Sequence, residues 1–116
     1  MKLAVIGSRK ILAIELENYI PDGVDEIVSG GARGIDALAR DFALRRGIRL
    51  TEFLPEYKIY GRGAPLKRDE KIAEYADEAI AVWDGSSRGT KYTIERFWAL
   101  GKRVRVITVE NDGVGG

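Results

Sequence analysis

Three short segments of the chain combine glycine with hydroxyl and guanidinium groups: GSR at 7–9, SGGARGID at 29–36 and DGSSRGT at 84–90. Each carries one arginine (Arg9, Arg33 and Arg88). Between them they hold Gly7, Ser8, Gly30, Gly31, Gly34, Asp36, Asp84, Gly85, Ser86, Ser87, Gly89 and Thr90. This mixture suits the binding of an oxyanion. Glycine lets the main chain approach a ligand closely and take positive φ. The first turn of a helix offers unpaired N–H groups and partial positive charge. A guanidinium adds a bidentate fork that fits phosphate. One charge-assisted hydrogen bond is worth roughly 1.5–3 kcal/mol, so a few of them supply micromolar affinity. Read singly, each segment is also an ordinary tight turn leading into a capped helix, with Asp36 complementing the helix dipole. Three of them at one end of a sheet favour the anion site.

The composition narrows the chemistry. A chain of 116 residues makes one domain. With 45% apolar and 32% charged residues it reads as globular. It has no cysteine, which excludes disulfides and thiolate chemistry, and no histidine, which removes the commonest general base and metal ligand. A net charge of +1 creates no global field toward nucleic acid or membrane. No apolar run approaches the ~20 residues of a membrane span, and the greasy run from Leu3 to Gly7 is too short for a signal-peptide core. A cytoplasmic protein with no membrane partner is expected. Asp36 and Asp84 are the carboxylates able to hold Mg²⁺ through water on a bound nucleotide. No tight ligand cluster marks a dedicated metal site, and no cofactor is required.

The segments depend on the elements around them. KLAVIG (2–7), DEIVSG (25–30), IRLTEFL (48–54), EAIAVWD (78–84) and RVRVITV (103–109) read as strands. The first and fourth are nearly continuous apolar runs, as in central strands covered on both faces; the third and fifth alternate more, as nearer an edge. Ile35, Leu38, Ala39, Phe42 and Ala43 form one helical stripe. Ile94, Phe97, Trp98 and Gly101 form another, and Leu12, Leu16 and Tyr19 mark a shorter helix ending before Pro21. A weaker pattern, Leu66, Ile72, Ala73 and Ala76, follows Pro65, which suits a first turn. Gly47 and Gly101 stand where helices should stop. Alternating strands and helices with short links imply right-handed crossovers and a parallel sheet. The expectation is a doubly wound α/β domain over 1–109, with 110–116 as a frayed tail. In such a sheet the ligand crevice lies beyond the carboxyl ends of the strands, where the winding reverses. All three glycine segments leave carboxyl ends there.

The motifs GSR, VSGGARGIDALA (28–39), APLKRDEKI (64–72) and VWDGSSRGTKYTI (82–94) resemble the SLOG superfamily, which includes the Lonely Guy phosphoribohydrolases and the DNA-processing protein A family. Their order and spacing are most similar to its small stand-alone YspA-like branch, and the resemblance covers residues 2 to about 109. It implies a single Rossmann-like three-layer domain whose five-stranded parallel sheet has the order 3-2-1-4-5. It also implies a site for a nucleotide or nucleotide-derived ligand at the glycine segments. In Lonely Guy enzymes an arginine on the helix before the fourth strand assists catalysis, and Arg68 looks like its counterpart. Those enzymes carry a glutamate three residues after the threonine of their GT motif. Here Thr93 takes that position and the first acid is Glu95, turned by about 200° on a helix. That departure argues against phosphoribohydrolase activity.

Several residues have two readings. Tyr57, Lys58, Tyr60 and Arg62, in the long connection 55–64, form either a lid that stacks on a base and contacts phosphate or an ordinary surface loop. Lys67 and Arg68 face the crevice, or form a solvated helix face with Asp69 and Glu70; the resemblance tips Arg68 toward the site. Trp83 either walls a purine pocket or packs in the core. Lys91 reaches a phosphate or is solvated. Phe97 and Trp98 are the candidates for a homodimer contact through helices. Three functions follow. The first is a module that binds, and senses, a nucleotide-derived small molecule. The second is an N-glycosidase acting on nucleoside monophosphates, with Arg68, Asp36 and Glu95 as its catalytic candidates and Asp84 as a further carboxylate. The third, disfavoured by the near-neutral charge, is single-stranded DNA binding.

Overall fold

A computed structural model describes residues 1–109; the expected frayed tail, 110–116, lies outside the described residues. The strands β1 (Lys2–Gly7), β2 (Glu26–Ser29), β3 (Arg49–Glu52), β4 (Glu78–Trp83) and β5 (Val104–Thr108) form one parallel sheet in the order β3-β2-β1-β4-β5. The helices are α1 (Ile35–Arg46), a single turn α2 (Tyr57–Tyr60), α3 (Ala64–Tyr75) and α4 (Arg88–Ala99). The chain winds outward from β1 through β2 to β3, then returns to place β4 on the other side of β1. The reversal therefore falls between β1 and β4, with Gly7 paired to Val82 at its carboxyl end. The alternating strands β3 and β5 are the edges, as their patterns predict.

Successive strand residues face opposite sides, and this builds two cores. Leu3 and Val5 of β1, with Ile80 and Val82 of β4, pack beneath Ile35, Ala39 and Phe42 of α1. Ala4 and Ile6, with Ala79 and Ala81, pack beneath Ile72, Ala73, Ile94 and Phe97 of α3 and α4. Small side chains dominate the second face, so two helices sit there side by side. Pro65 lies in the first turn of α3, and Gly47 caps α1 in the left-handed conformation. The last turn of α3 carries no basic residue. Lys102, from the α4–β5 link, supplies the missing cation: its Nζ donates to the carbonyls of Ala73, Glu74 and Ala76 at 2.7, 2.9 and 2.8 Å.

Two expectations are corrected. The stripe Leu12, Leu16 and Tyr19 does not form a helix; one 3-10 turn at Leu16–Asn18 stands there. Leu12 is 73% exposed, and the segment is anchored through Ile11, Leu16 and Ile20. Those anchors hold the chain by tertiary contact, which outweighs the weak tendency of so short a helix. Phe97 is fully buried and so contributes nothing to a contact with another subunit, whereas Trp98 is 56% exposed. The long connection contains α2 and a 3-10 turn at Gly61–Gly63 that leads into α3. Among the described residues, no helix is long and apolar enough to cross a membrane.

Gly7 is enclosed by backbone and side chain at the end of β1. A Cβ added there would lie 2.5 Å from the Val82 carbonyl oxygen and 2.6 Å from Ile35 Cγ1. Gly7→Ala must push β1 away from β4 or α1, which costs about 2–3 kcal/mol. Thermal denaturation is expected to show a melting temperature lower by roughly 10 °C.

Candidate functional site

A cleft of about 550 Å³ opens at the carboxyl ends of the strands, at the reversal between β1 and β4. Ile6, Gly7 and Arg9 reach it from β1 and its loop, and Gly30, Gly31, Ala32 and Asp36 from the β2–α1 turn. Pro55 and Tyr57 line one wall. Pro65, Leu66, Arg68, Asp69 and Ile72 of α3 form another, and Ser87, Arg88, Gly89, Thr90 and Thr93 close it from the start of α4. The three glycine segments thus do converge on one cavity.

The loops are held in shape before any ligand arrives. Gly34 has φ 73°, and a Cβ there would lie 2.6 Å from the backbone of Arg9, so the second loop rests directly on the first. The Asp84 carboxylate accepts the amides of Ser86 and Ser87, each at 2.9 Å. These amides, and burial working against them, leave its carboxyl below the usual carboxylate range. Ser87 caps α4, its Oγ accepting the Thr90 amide at 3.4 Å. Trp83 Nε1 donates to the Ser87 carbonyl at 3.0 Å, so the tryptophan fixes the loop and does not wall the cleft. In the second loop, Ser29 Oγ accepts the Gly31 amide and Asp36 the Ala32 amide. Among the described residues, the amides of Arg9, Arg88 and Gly89 donate to no protein group. These three, with the guanidinium groups of Arg9 and Arg88, are left for an anion.

The inner end of the cleft carries a charge cluster. Arg68 Nη1 donates to the Gly30 carbonyl at 2.5 Å and to the Phe53 carbonyl at 3.4 Å, while Nε donates to Asp69 at 2.8 Å. The Arg68 and Asp69 side chains are only 13% and 14% exposed. A Cβ on Gly30 would meet Arg68 Nη1 at 2.5 Å and Asp36 Oδ2 at 2.9 Å, so guanidinium and carboxylate face each other across the space of one methyl group. Burial pushes the Asp69 carboxyl up to about 6, against the pull of Arg68 and the Thr93 hydroxyl, and Asp36 adds to the rise. Burial also raises Asp36, opposed by the Ala32 amide and Arg68 and assisted by Glu52. Arg68 favours the ionised form of Asp69, yet desolvation outweighs it.

Several candidates stand elsewhere. Ser8 is buried beneath the cleft. Its Oγ makes no hydrogen bond among the described residues, although it is near enough to Asp84 to help hold that carboxyl low. Arg33, Gly34, Asp84, Gly85 and Ser86 are not on the cleft wall. Arg33 is exposed, and Asp84 is spent on organising its own loop. Of the two carboxylates considered for Mg²⁺, Asp36 lines the cleft and Asp84 does not. No group of three or more metal-ligating side chains occurs among the described residues. Glu95 is exposed and outside the cleft, which the two-position shift on α4 explains, so it is removed from the catalytic candidates. Lys67 turns to Glu70 on the solvated face, and Lys91 is exposed. Asp69 is the residue the sequence reading misplaced, as part of a solvated face. The available signal was its position three residues before Ile72, on the buried stripe of α3.

No protein-family model, curated protein or solved structure matches the chain.

A folded-state pKa near 6 means that native Asp69 holds its proton more tightly than the unfolded chain does. Its ionisation therefore removes stability as pH rises from about 4 to about 6 and leaves that loss in place above. Asp69→Asn abolishes this loss. Denaturant titrations are expected to show the variant gaining on the parent by up to about 3 kcal/mol between pH 4 and pH 7. A pH-independent difference would show that Asp69 ionises freely.

Proposed function

We propose that the chain binds a nucleotide or nucleotide-derived ligand, with phosphate at the outer loops and the organic moiety deeper along the α3 wall. The observation that carries this reading is the set of unused donors at the point of reversal. The free amides of Arg9, in the loop after β1, and of Arg88 and Gly89, at the start of α4, belong to residues that line the same cleft, two of them arginines. The cavity volume is that of a small-molecule site. Pro55, Tyr57, Pro65 and Leu66 offer an apolar wall for a base, and Tyr57 is 60% exposed, free to stack on one. The cysteine-free composition suits a cytoplasmic module that senses such a ligand.

A second reading, hydrolysis of the N-glycosidic bond of a bound nucleoside monophosphate, is favoured by one observation. Two buried carboxyls flank Arg68 inside the same cleft. Strand-tracking of single-stranded DNA gains no such support: it calls for a continuous basic stripe, whereas Arg68 is committed to internal partners.

A thermal-shift panel of nucleoside mono- and diphosphates and ADP-ribose tests the binding reading. A ligand at about 100 times its dissociation constant adds ~2.7 kcal/mol, a rise of roughly 10 °C or more. Arg88→Ala is expected to weaken such a ligand about tenfold, the loss of one charge-assisted contact. A panel in which no member moves the melting temperature would overturn the reading.

A further inference from the structure

A net charge near zero conceals how the charge is placed. Arg9 and Lys10 follow β1, and Arg33 follows β2. Lys58 and Arg62 follow β3, and Arg88 and Lys91 follow β4. All of these side chains are exposed, and among the described residues none forms an ion pair. In a parallel sheet these links leave the same end, so the unpaired cations gather on one face of the molecule. Acids of the same links are already engaged: Asp84 holds the amides of its own loop, and Glu56 pairs with Lys71. Acids that balance the total stand at the opposite end, Asp22 and Asp25 before β2 and Asp77 before β4.

The same face carries uncovered apolar side chains. The turn α2 reads Tyr-Lys-Ile-Tyr, and none of its residues is buried. Ile59 is 67% exposed, and Leu54, shortly before it, is 61% exposed. Aliphatic groups concentrated in one exposed segment mark a surface that something covers. Tyr57 and Leu66 line the cleft together with Arg9 and Arg88, so the apolar and the basic groups belong to one surface. We propose that this face docks on a bilayer containing anionic phospholipid. Ile59 and its neighbours in α2 enter the interface, and the cations of the four links lie against the headgroup phosphates.

Charge complementarity selects the partner. An anionic leaflet attracts each nearby Lys or Arg, and several together give stable attachment. These cations come from four separate links, which suits a plane better than the single line of a nucleic-acid backbone. Bases stack on aromatic rings, so Ile59 and Leu54 have no counterpart on a nucleotide chain, whereas the headgroup–acyl boundary accepts them. Tyr57 and Tyr60, with apolar rings and polar tips, suit the headgroup level, as do the long stems of Lys58 and Arg62. The attachment is peripheral, since no helix among the described residues is long and apolar enough to cross. It is separate from the nucleotide reading, which rests on main-chain amides of cleft-lining residues.

The test is flotation of the full chain with vesicles of phosphatidylcholine alone, and of phosphatidylcholine with about one-third phosphatidylglycerol. Binding to the anionic vesicles is expected to exceed binding to the neutral ones at least about tenfold, and to fall as salt is raised. Ile59→Ser is expected to weaken it about tenfold, the loss of one inserted aliphatic side chain. Lys58→Gln combined with Arg62→Gln is expected to weaken it at least about tenfold. Arg45→Gln, in the last turn of α1 at the other end of the sheet, should leave it within about twofold. All four positions are exposed, and thermal denaturation checks that each variant folds as the parent does. Equal binding to both kinds of vesicle, binding to neither, or Ile59→Ser floating like the parent would overturn the proposal. Retention of a single-stranded oligonucleotide without vesicle binding would also overturn it and assign the face to nucleic acid.

Discussion

The fixed guanidinium of Arg68 is the constraint on which the cleft depends. Its Nη1 reaches the carbonyls of Gly30 and Phe53, at the carboxyl ends of the second and third strands, while the rest of the side chain belongs to α3. One side chain thus ties the helix to the rim of the sheet. Two carboxyls, Asp69 and Asp36, crowd it from α3 and α1. Burying such a group costs several kcal/mol unless every donor finds an acceptor, so the arrangement requires a bare glycine at position 30. Any side chain there would occupy the space in which Arg68 and Asp36 meet.

The outer loops follow a different logic. Their amides divide between those that hold the loop and those that remain available. Asp84 takes two amides, Ser87 a third, and Ser29 and Asp36 one each in the neighbouring loop. A loop shaped in advance loses less conformational entropy on binding. The carboxylates and hydroxyls of these segments therefore act mainly on their own backbone, and the arginines and the first turn of α4 present the donors. Arg9 and Arg88 line the cleft from its loops, and the carboxyls of Asp36 and Asp69 line it from α1 and α3.

Much of this was legible in the residues. Apolar runs with short links indicated a parallel sheet, and the contrast between KLAVIG and RVRVITV separated central from edge strands. Glycine segments at strand ends located the cleft, because only a few positions in such a sheet bring backbone donors together. The stripe at Leu12, Leu16 and Tyr19 misled, since Ile11 and Ile20, not Leu12, reach the core. At a helix this short the choice of anchor residues, rather than periodicity, decides the conformation.

By itself, then, the sequence determined the alternation of elements, the central and edge positions and the convergence of three glycine segments, all of which follow from local periodicity and from rules of chain crossover. Only the tertiary structure decided which polar side chains face inward. Asp69 and Glu95 are both acids on helices beside the same cleft, yet one is buried against Arg68 and the other is in water. The difference is a rotation about a helix axis, set by how α3 and α4 lie on the small alanines of the sheet, and helix-on-sheet packing of that kind is a property of distant residues brought together.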